Sequence, residues 1–271
     1  MEFQTNIYEG VNPPSSSKFN LVGVKLPTSQ AVYFVSKWHQ LLERYEMART
    51  FLKKTEEDNW DYWFNRVDDE VTQKVIELTF KAQMLETALI NYNILVDLTW
   101  TITYVSAEYV LYKFDKDGNV TNVDEIIGMH TIEKSLEMLR KAENGVNTPH
   151  AEGNPFQYLK VMRPEFSDAI DLIVAFWKEF SESNIRNIYN YIKHKGTPCY
   201  KEIEALRDTR FFNLIIGKES YPTDIRDVRN VLSMDELIEE LRKFDDEKLY
   251  PYVVGLIEKL KIAVDPSPMI I

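Results

Sequence analysis

The chain has 271 residues, and its 32 basic against 43 acidic residues leave a net charge of −11. An acidic chain of this kind excludes a broad, non-specific nucleic-acid binder, so any nucleic-acid contact has to be a local patch or be formed between subunits. Hydrophobic residues at 44% exclude extensive disorder, and the single cysteine, Cys199, excludes an internal disulfide framework and fits a reducing, cytoplasmic setting.

Residues 1–27 carry no basic region followed by an apolar run, so no signal peptide is expected. Pro13-Pro14 and the serines after them mark an extended arm, with a short strand at Asn20 to Leu26. Thr28 or Ser29 caps the first long helix, whose apolar face is Val32, Val35, Trp38, Leu41, Leu42, Tyr45, Ala48 and Leu52. His39 lies beside that face as a structural histidine. A charged break at Glu56-Glu57-Asp58 precedes a short amphipathic helix through Trp60, Trp63, Phe64 and Val67. From Asp69 to Tyr112 the pattern is helical and apolar on more than one side, as expected of a central helix contacted all round. Glu86, Asn91, Asn93, Asp97 and Glu108 interrupt its most apolar part, which reads as a buried helix and not as a membrane span. Buried asparagines need partners. Those partners are either ordinary interhelical hydrogen bonds or the polar stripe described next.

Asp115-Lys116-Asp117-Gly118-Asn119 reads as a turn joining two short strands; its glycine falls too early, and Ile126 replaces the closing glutamate, for a calcium loop. Glu125 to Lys141 reads as a helix and Asn144 to Pro155 as a loop, in which His150 has no second ligand at metal-site spacing. Pro164 then opens a long helical pattern through Phe166, Ile170, Ile173, Val174, Trp177, Phe180, Ile185, Ile188 and Ile192 that Gly196 and Pro198 stop. Near its end Arg186, Asn190 and His194 stand four residues apart, forming one stripe roughly 12 Å long on a helix. The stretch from Asn184 to Tyr200 contains Arg186, Lys193 and Lys195 and no acidic residue, a local reversal of sign.

Two readings of that stripe stand side by side. An imidazole, with a pKa of about 6.5, takes and returns protons near neutrality, and a guanidinium grips phosphate through two parallel hydrogen bonds. Together they suffice for metal-free phosphodiester cleavage, the histidine drawing the proton from a ribose 2′-hydroxyl and the arginine stabilising the transition state. Alternatively, Lys193, His194 and Lys195 simply complement the negative end of the helix dipole.

Beyond this helix, Tyr200 to Phe212 and Leu214 to Gly217 lead into a loop at Ser220-Tyr221-Pro222. Asp224 to Leu232 and Ser233 to Phe244 read as short helices, the second with Ser233 as cap and Glu236 completing a capping box. Tyr252 to Ile262 packs through Val253, Leu256, Ile257 and Leu260, and the tail from Asp265 is loosely held. No Gly-rich phosphate loop, paired-Cys metal site or nucleophile elbow occurs, so neither a cofactor nor a metal is expected.

Arg186-Asn187 followed by His194, on a long helix stopped by a glycine and with helical chain on either side, resembles the signature of the HEPN superfamily. The family pattern is an arginine, four to six residues of which the first is usually polar, then a histidine. Seven residues, Asn187 to Lys193, intervene here, which puts the two side chains two turns apart on one face. The resemblance implies a metal-independent endoribonuclease or RNA-processing protein of the kind found in toxin–antitoxin and defence systems, with Arg186, Asn187 and His194 catalytic. It also implies a homodimer that joins two motifs in a composite cleft, and an antitoxin-type protein partner. Asn190, Lys193 and Lys195 are the accompanying candidate RNA contacts. Some members of the family have no nuclease activity, so the other reading is a non-catalytic helical protein that binds RNA, nucleotide or another protein. The expected fold is all-α, a multi-helix up-and-down bundle with a small hairpin element. It is expected to form one domain over 1–271, with an extended arm at 1–27 and a helical C-terminal extension over 200–271, and no membrane contact.

Overall fold

A computed structural model describes residues 3–7, 11, 28–57, 69–106, 113–114, 120–122, 160, 163–206, 211–224 and 229–264. The expected strand at 20–26, the helices around 60–67 and 125–141, the loop at 144–155 with His150, and the tail from 265 lie outside them. The fold is predominantly helical, a multi-helix all-α architecture with short strands. Its first helices are α1 (Thr28–Lys54) and α2 (Glu70–Ser106). The strands β1 (Lys113–Phe114) and β2 (Val120–Asn122) pair antiparallel on either side of the expected turn. Among the described residues, no helix is long and apolar enough to cross a membrane.

Helix α2 starts where Asp69 accepts a hydrogen bond from the Thr72 backbone N–H at 2.7 Å, an N-cap whose bonds with Thr72 hold the carboxyl below its usual range. Lys74 and Lys81 flank Glu77 one turn to either side and pair with it. From Ala82 onward the helix is buried on most sides. Its buried polar residues meet that burial locally: Asn91 and Asn93 donate to the carbonyls of Thr87 and Leu89, and Thr103 and Ser106 to those of Thr99 and Ile102. An apolar helix can therefore hold buried amides and hydroxyls whose donors its own carbonyls accept.

The expected single helix from Pro164 to Lys195 is divided. A turn of 3-10 helix at Pro164–Phe166 leads into α3 (Ser167–Ser181), and a separate α4 runs over Asn184–Lys195. Both the backbone N–H and the hydroxyl of Ser183 donate to the Phe180 carbonyl, at 3.0 and 2.7 Å, so the i to i−4 ladder closes early. Gly196 ends α4 at φ +97, a backbone shape that side chains with a Cβ rarely adopt, and its N–H reaches the Ile192 carbonyl.

The chain after α4 departs further from expectation. Strand β3 (Cys199–Tyr200) runs directly into the short α5 (Lys201–Glu204). Strands β4 (Phe211–Ile216) and β5 (Glu219–Asp224) form a hairpin in register Ile216 to Glu219, closed by Gly217-Lys218 with Gly217 at φ +66. The expected loop at Ser220-Tyr221-Pro222 is thus part of a strand. The expected helix over Asp224 to Leu232 is replaced, within its described residues, by β5's last residue and by β6 (Val231–Leu232), which lies parallel to β3 with Cys199 opposite Val231. Val231 and Leu232 are β-formers following Asn230, whose carbonyl takes the Cys199 N–H at 2.8 Å. Helix α6 (Met234–Phe244) is capped as expected, Ser233 Oγ accepting from the Glu236 N–H. It continues through a π-turn at Asp245–Leu249 into α7 (Tyr250–Val264), which buries Val253, Leu256, Ile257 and Leu260.

The residues group into two compact units: Met1–Gln4, Glu46–Asn93 and Asn184–Asp246 in the first, and Thr5–Tyr45, Ile94–Ser183 and Glu247–Ile271 in the second. The second has an aromatic core. Trp100 and Trp177 meet edge to face at 5.5 Å, Phe176 stacks on Tyr252 at 3.8 Å, and the Tyr252 and Thr99 hydroxyls bond at 2.7 Å. The first is centred on a buried charge. Asp245, fully buried, accepts two hydrogen bonds from Arg49 at 2.7 and 2.8 Å and a third from the Tyr92 hydroxyl at 2.6 Å. The Phe3 ring covers the Arg49 guanidinium at 4.4 Å.

Candidate functional site

The first unit carries two places where polar chemistry reaches the surface. One is α4 itself. Ile185 and Ile188 are buried and fix its inner face, and the Tyr191 hydroxyl accepts the Asn230 N–H at 3.1 Å. At its start Asn184 donates to Glu240 of α6 at 2.7 Å.

Of the residues singled out from the sequence, Arg186 is half-buried and donates from Nη1 to Asn93 Oδ1 at 3.1 Å. Asn93 is completely buried, with its amide nitrogen on the Leu89 carbonyl, so its oxygen is held in place to receive the guanidinium. The Arg186 guanidinium also lies 5.2 Å from the Tyr189 ring centroid, and Lys193 Nζ lies 5.9 Å from the same ring. Asn190 is half-buried, while Asn187, Lys193, His194 and Lys195 are exposed. Arg186 and His194 are therefore on one helix but not at one point: about 12 Å of helix rise separates them, and only the arginine is engaged with α2. Of Asn91, Asn93 and Asp97 on α2, Asn93 makes that contact.

The second place is a cleft of about 230 Å³ that begins just past α4. One wall is a single face of α2, with Thr79, Ala82, Gln83 and Glu86 at helical spacing. The other is Thr197 to Tyr200 with Ile203 and Glu204 of α5, and the exposed Arg229 completes the lining. Glu86 Oε1 accepts the Tyr200 hydroxyl at 3.0 Å. Burial lifts the Glu86 carboxyl above the ordinary glutamate range, although the hydrogen bond from Tyr200 pulls the other way. Burial, then the charge of Glu86, pushes the Tyr200 hydroxyl well above its ordinary value, so it stays protonated and a donor. The Thr79 hydroxyl spends its proton on the Val75 carbonyl at 2.7 Å, leaving its oxygen as an acceptor. Cys199 is buried and is the first residue of β3.

Sequence reasoning did not find this cleft. Glu86 entered it only as an interruption of an apolar helix. The spacing of Thr79, Gln83 and Glu86 was visible, but the facing wall is 110 residues and more away along the chain.

No protein-family model, curated protein or solved structure matches this chain.

Proposed function

We propose that the protein is a HEPN-like, metal-independent endoribonuclease that works on RNA held along α4. The observation that supports this most is the outer face of that helix: exposed Asn187, Lys193, His194 and Lys195, and an arginine oriented by a buried asparagine, on a stretch without acids in a chain of net charge −11. In the reaction His194 takes the 2′-hydroxyl proton, the 2′-oxygen attacks the phosphorus as the bond to the 5′-oxygen breaks, the released 5′-oxygen takes up a proton from water, and the guanidinium of Arg186 steadies charge on the phosphate. Because the two lie two turns apart in one copy, the reading calls for a homodimer, in which the histidine of one copy works with the arginine of the other.

The test is incubation of the purified protein with labelled single-stranded and structured RNA in EDTA, beside His194→Ala and Arg186→Ala proteins checked for folding. The expected result is cleavage leaving 2′,3′-cyclic ends, slowed by about 10²- to 10⁴-fold in His194→Ala. The distance between Arg186 and His194 within one copy favours a second reading, RNA binding without cleavage. A complex with no product, weakened by Lys193→Ala and Lys195→Ala together, would select it. Absence of both cleavage and binding overturns the RNA reading.

A further inference from the structure

The geometry points to the Glu86 cleft as a recognition pocket for a guanine base, adjoining the RNA-contacting helix proposed above. Its α2 wall offers acceptors to the interior: the Glu86 carboxylate, which retains lone pairs beyond the one occupied by Tyr200, and the Thr79 oxygen, whose proton is already committed. Glu86 is therefore a part-buried acceptor in the lining that makes no ion pair among the described residues. A ligand that brings two parallel N–H donors satisfies it best.

Among the bases of RNA, guanine alone presents such a pair, N1–H beside N2–H, on its Watson–Crick edge. Adenine and cytosine set a ring acceptor next to their donor, and uracil flanks one donor with two carbonyls, so each directs a lone pair at the carboxylate. Ala82, Pro198 and Ile203 give the cleft its apolar surface. Its volume of about 230 Å³ gives a flat double ring room to enter. Arg229 in the lining supplies a cation for the nucleotide's own phosphate.

Position links the cleft to α4. Thr197, its first residue, stands two residues beyond Lys195, within about 7 Å of chain. An unpaired base of a single strand resting on Lys193 and Lys195 has the cleft within reach. Sequence-specific RNA readers use this arrangement, with splayed bases read on their Watson–Crick edges.

The inference rests on the RNA reading for its biological sense, but its test does not. The full-length protein is titrated by calorimetry with the 3′-monophosphates of guanosine, adenosine, cytidine and uridine, alongside Glu86→Gln and His194→Ala. Glu86→Gln keeps shape and turns one carboxylate oxygen into a donor. Guanosine monophosphate is expected to bind ahead of the other three by roughly 5- to 150-fold, a preference abolished in Glu86→Gln and kept in His194→Ala. Equal binding of all four, no binding of any, or a preference that survives Glu86→Gln overturns the pocket. Guanine selectivity without RNA cleavage or binding leaves the pocket standing and removes the ribonuclease. RNA cleavage indifferent to guanine does the reverse.

Discussion

Two carboxylates in the first unit show opposite solutions to the problem of a charge out of water. Asp245 is fully buried and surrounded by donors, two from Arg49 and one from Tyr92, with the Phe3 ring closing over the guanidinium. Glu86 is part-buried, has the single Tyr200 hydroxyl, faces a cleft and is held above the ordinary glutamate range by burial. A carboxylate that the protein satisfies by itself has no capacity left for a ligand. One that it satisfies incompletely costs stability and leaves room for a partner from outside, the usual trade-off at binding sites.

Removing the satisfied charge should have the largest effect. Asp245→Ala takes from buried Arg49 the carboxylate to which it donates twice, and urea unfolding should show a loss of about 3–5 kcal/mol. A loss below about 1 kcal/mol would mean that the ion pair is not what centres this unit. Tyr92→Phe removes one donor to Asp245 while the ring still meets Phe244 edge to face at 6.2 Å. Its expected cost is about 1.5–3 kcal/mol, the worth of a hydrogen bond to a charged group.

At the cleft the sign reverses. The folded protein holds the Glu86 proton more tightly than the unfolded chain does, so this group's contribution to stability falls as pH rises from below the ordinary glutamate range through the raised value. Glu86→Gln removes the neutral-pH cost and keeps an acceptor for Tyr200. It should melt slightly higher than wild type at pH 7, by less than about 2 °C because the carboxyl is open to water on one side, and the two should converge below about pH 4. A gap that is the same at both pH values would dissolve the contrast. Together with the calorimetry, this makes one substitution the sharpest probe: stability up and guanine binding down.

Much of the helical content was legible because it rests on local rules. The apolar spacing of α1 and α2, the Ser233 cap of α6 and the glycine that ends α4 are each decided within a few residues of chain. Even the break between α3 and α4 left a trace, since Phe180 to Ile185 is the one step longer than four in its apolar series, and Ser183 and Asn184 fall in the gap. The β4–β5 hairpin also had a local signal in the two turn residues Gly217-Lys218 between runs of strand-forming residues. The β3–β6 pair had none, because two residues on each side say nothing about a parallel partner far along the chain.

By itself the sequence determined the helical character, most helix ends, the acidic balance and the basic stretch at 184–200, since propensity, periodicity, caps and charge are properties of neighbours. Tertiary structure alone decided that Asn93 receives Arg186, that Asp245 is paired with Arg49 and accepts the Tyr92 hydroxyl, and that Glu86 faces Tyr200 across a cleft. Each of these pairs residues about 90 to 200 positions apart. Whether such a polar group is satisfied or left open depends on burial and on donors that arrive from elsewhere in the chain, and no window of sequence contains both.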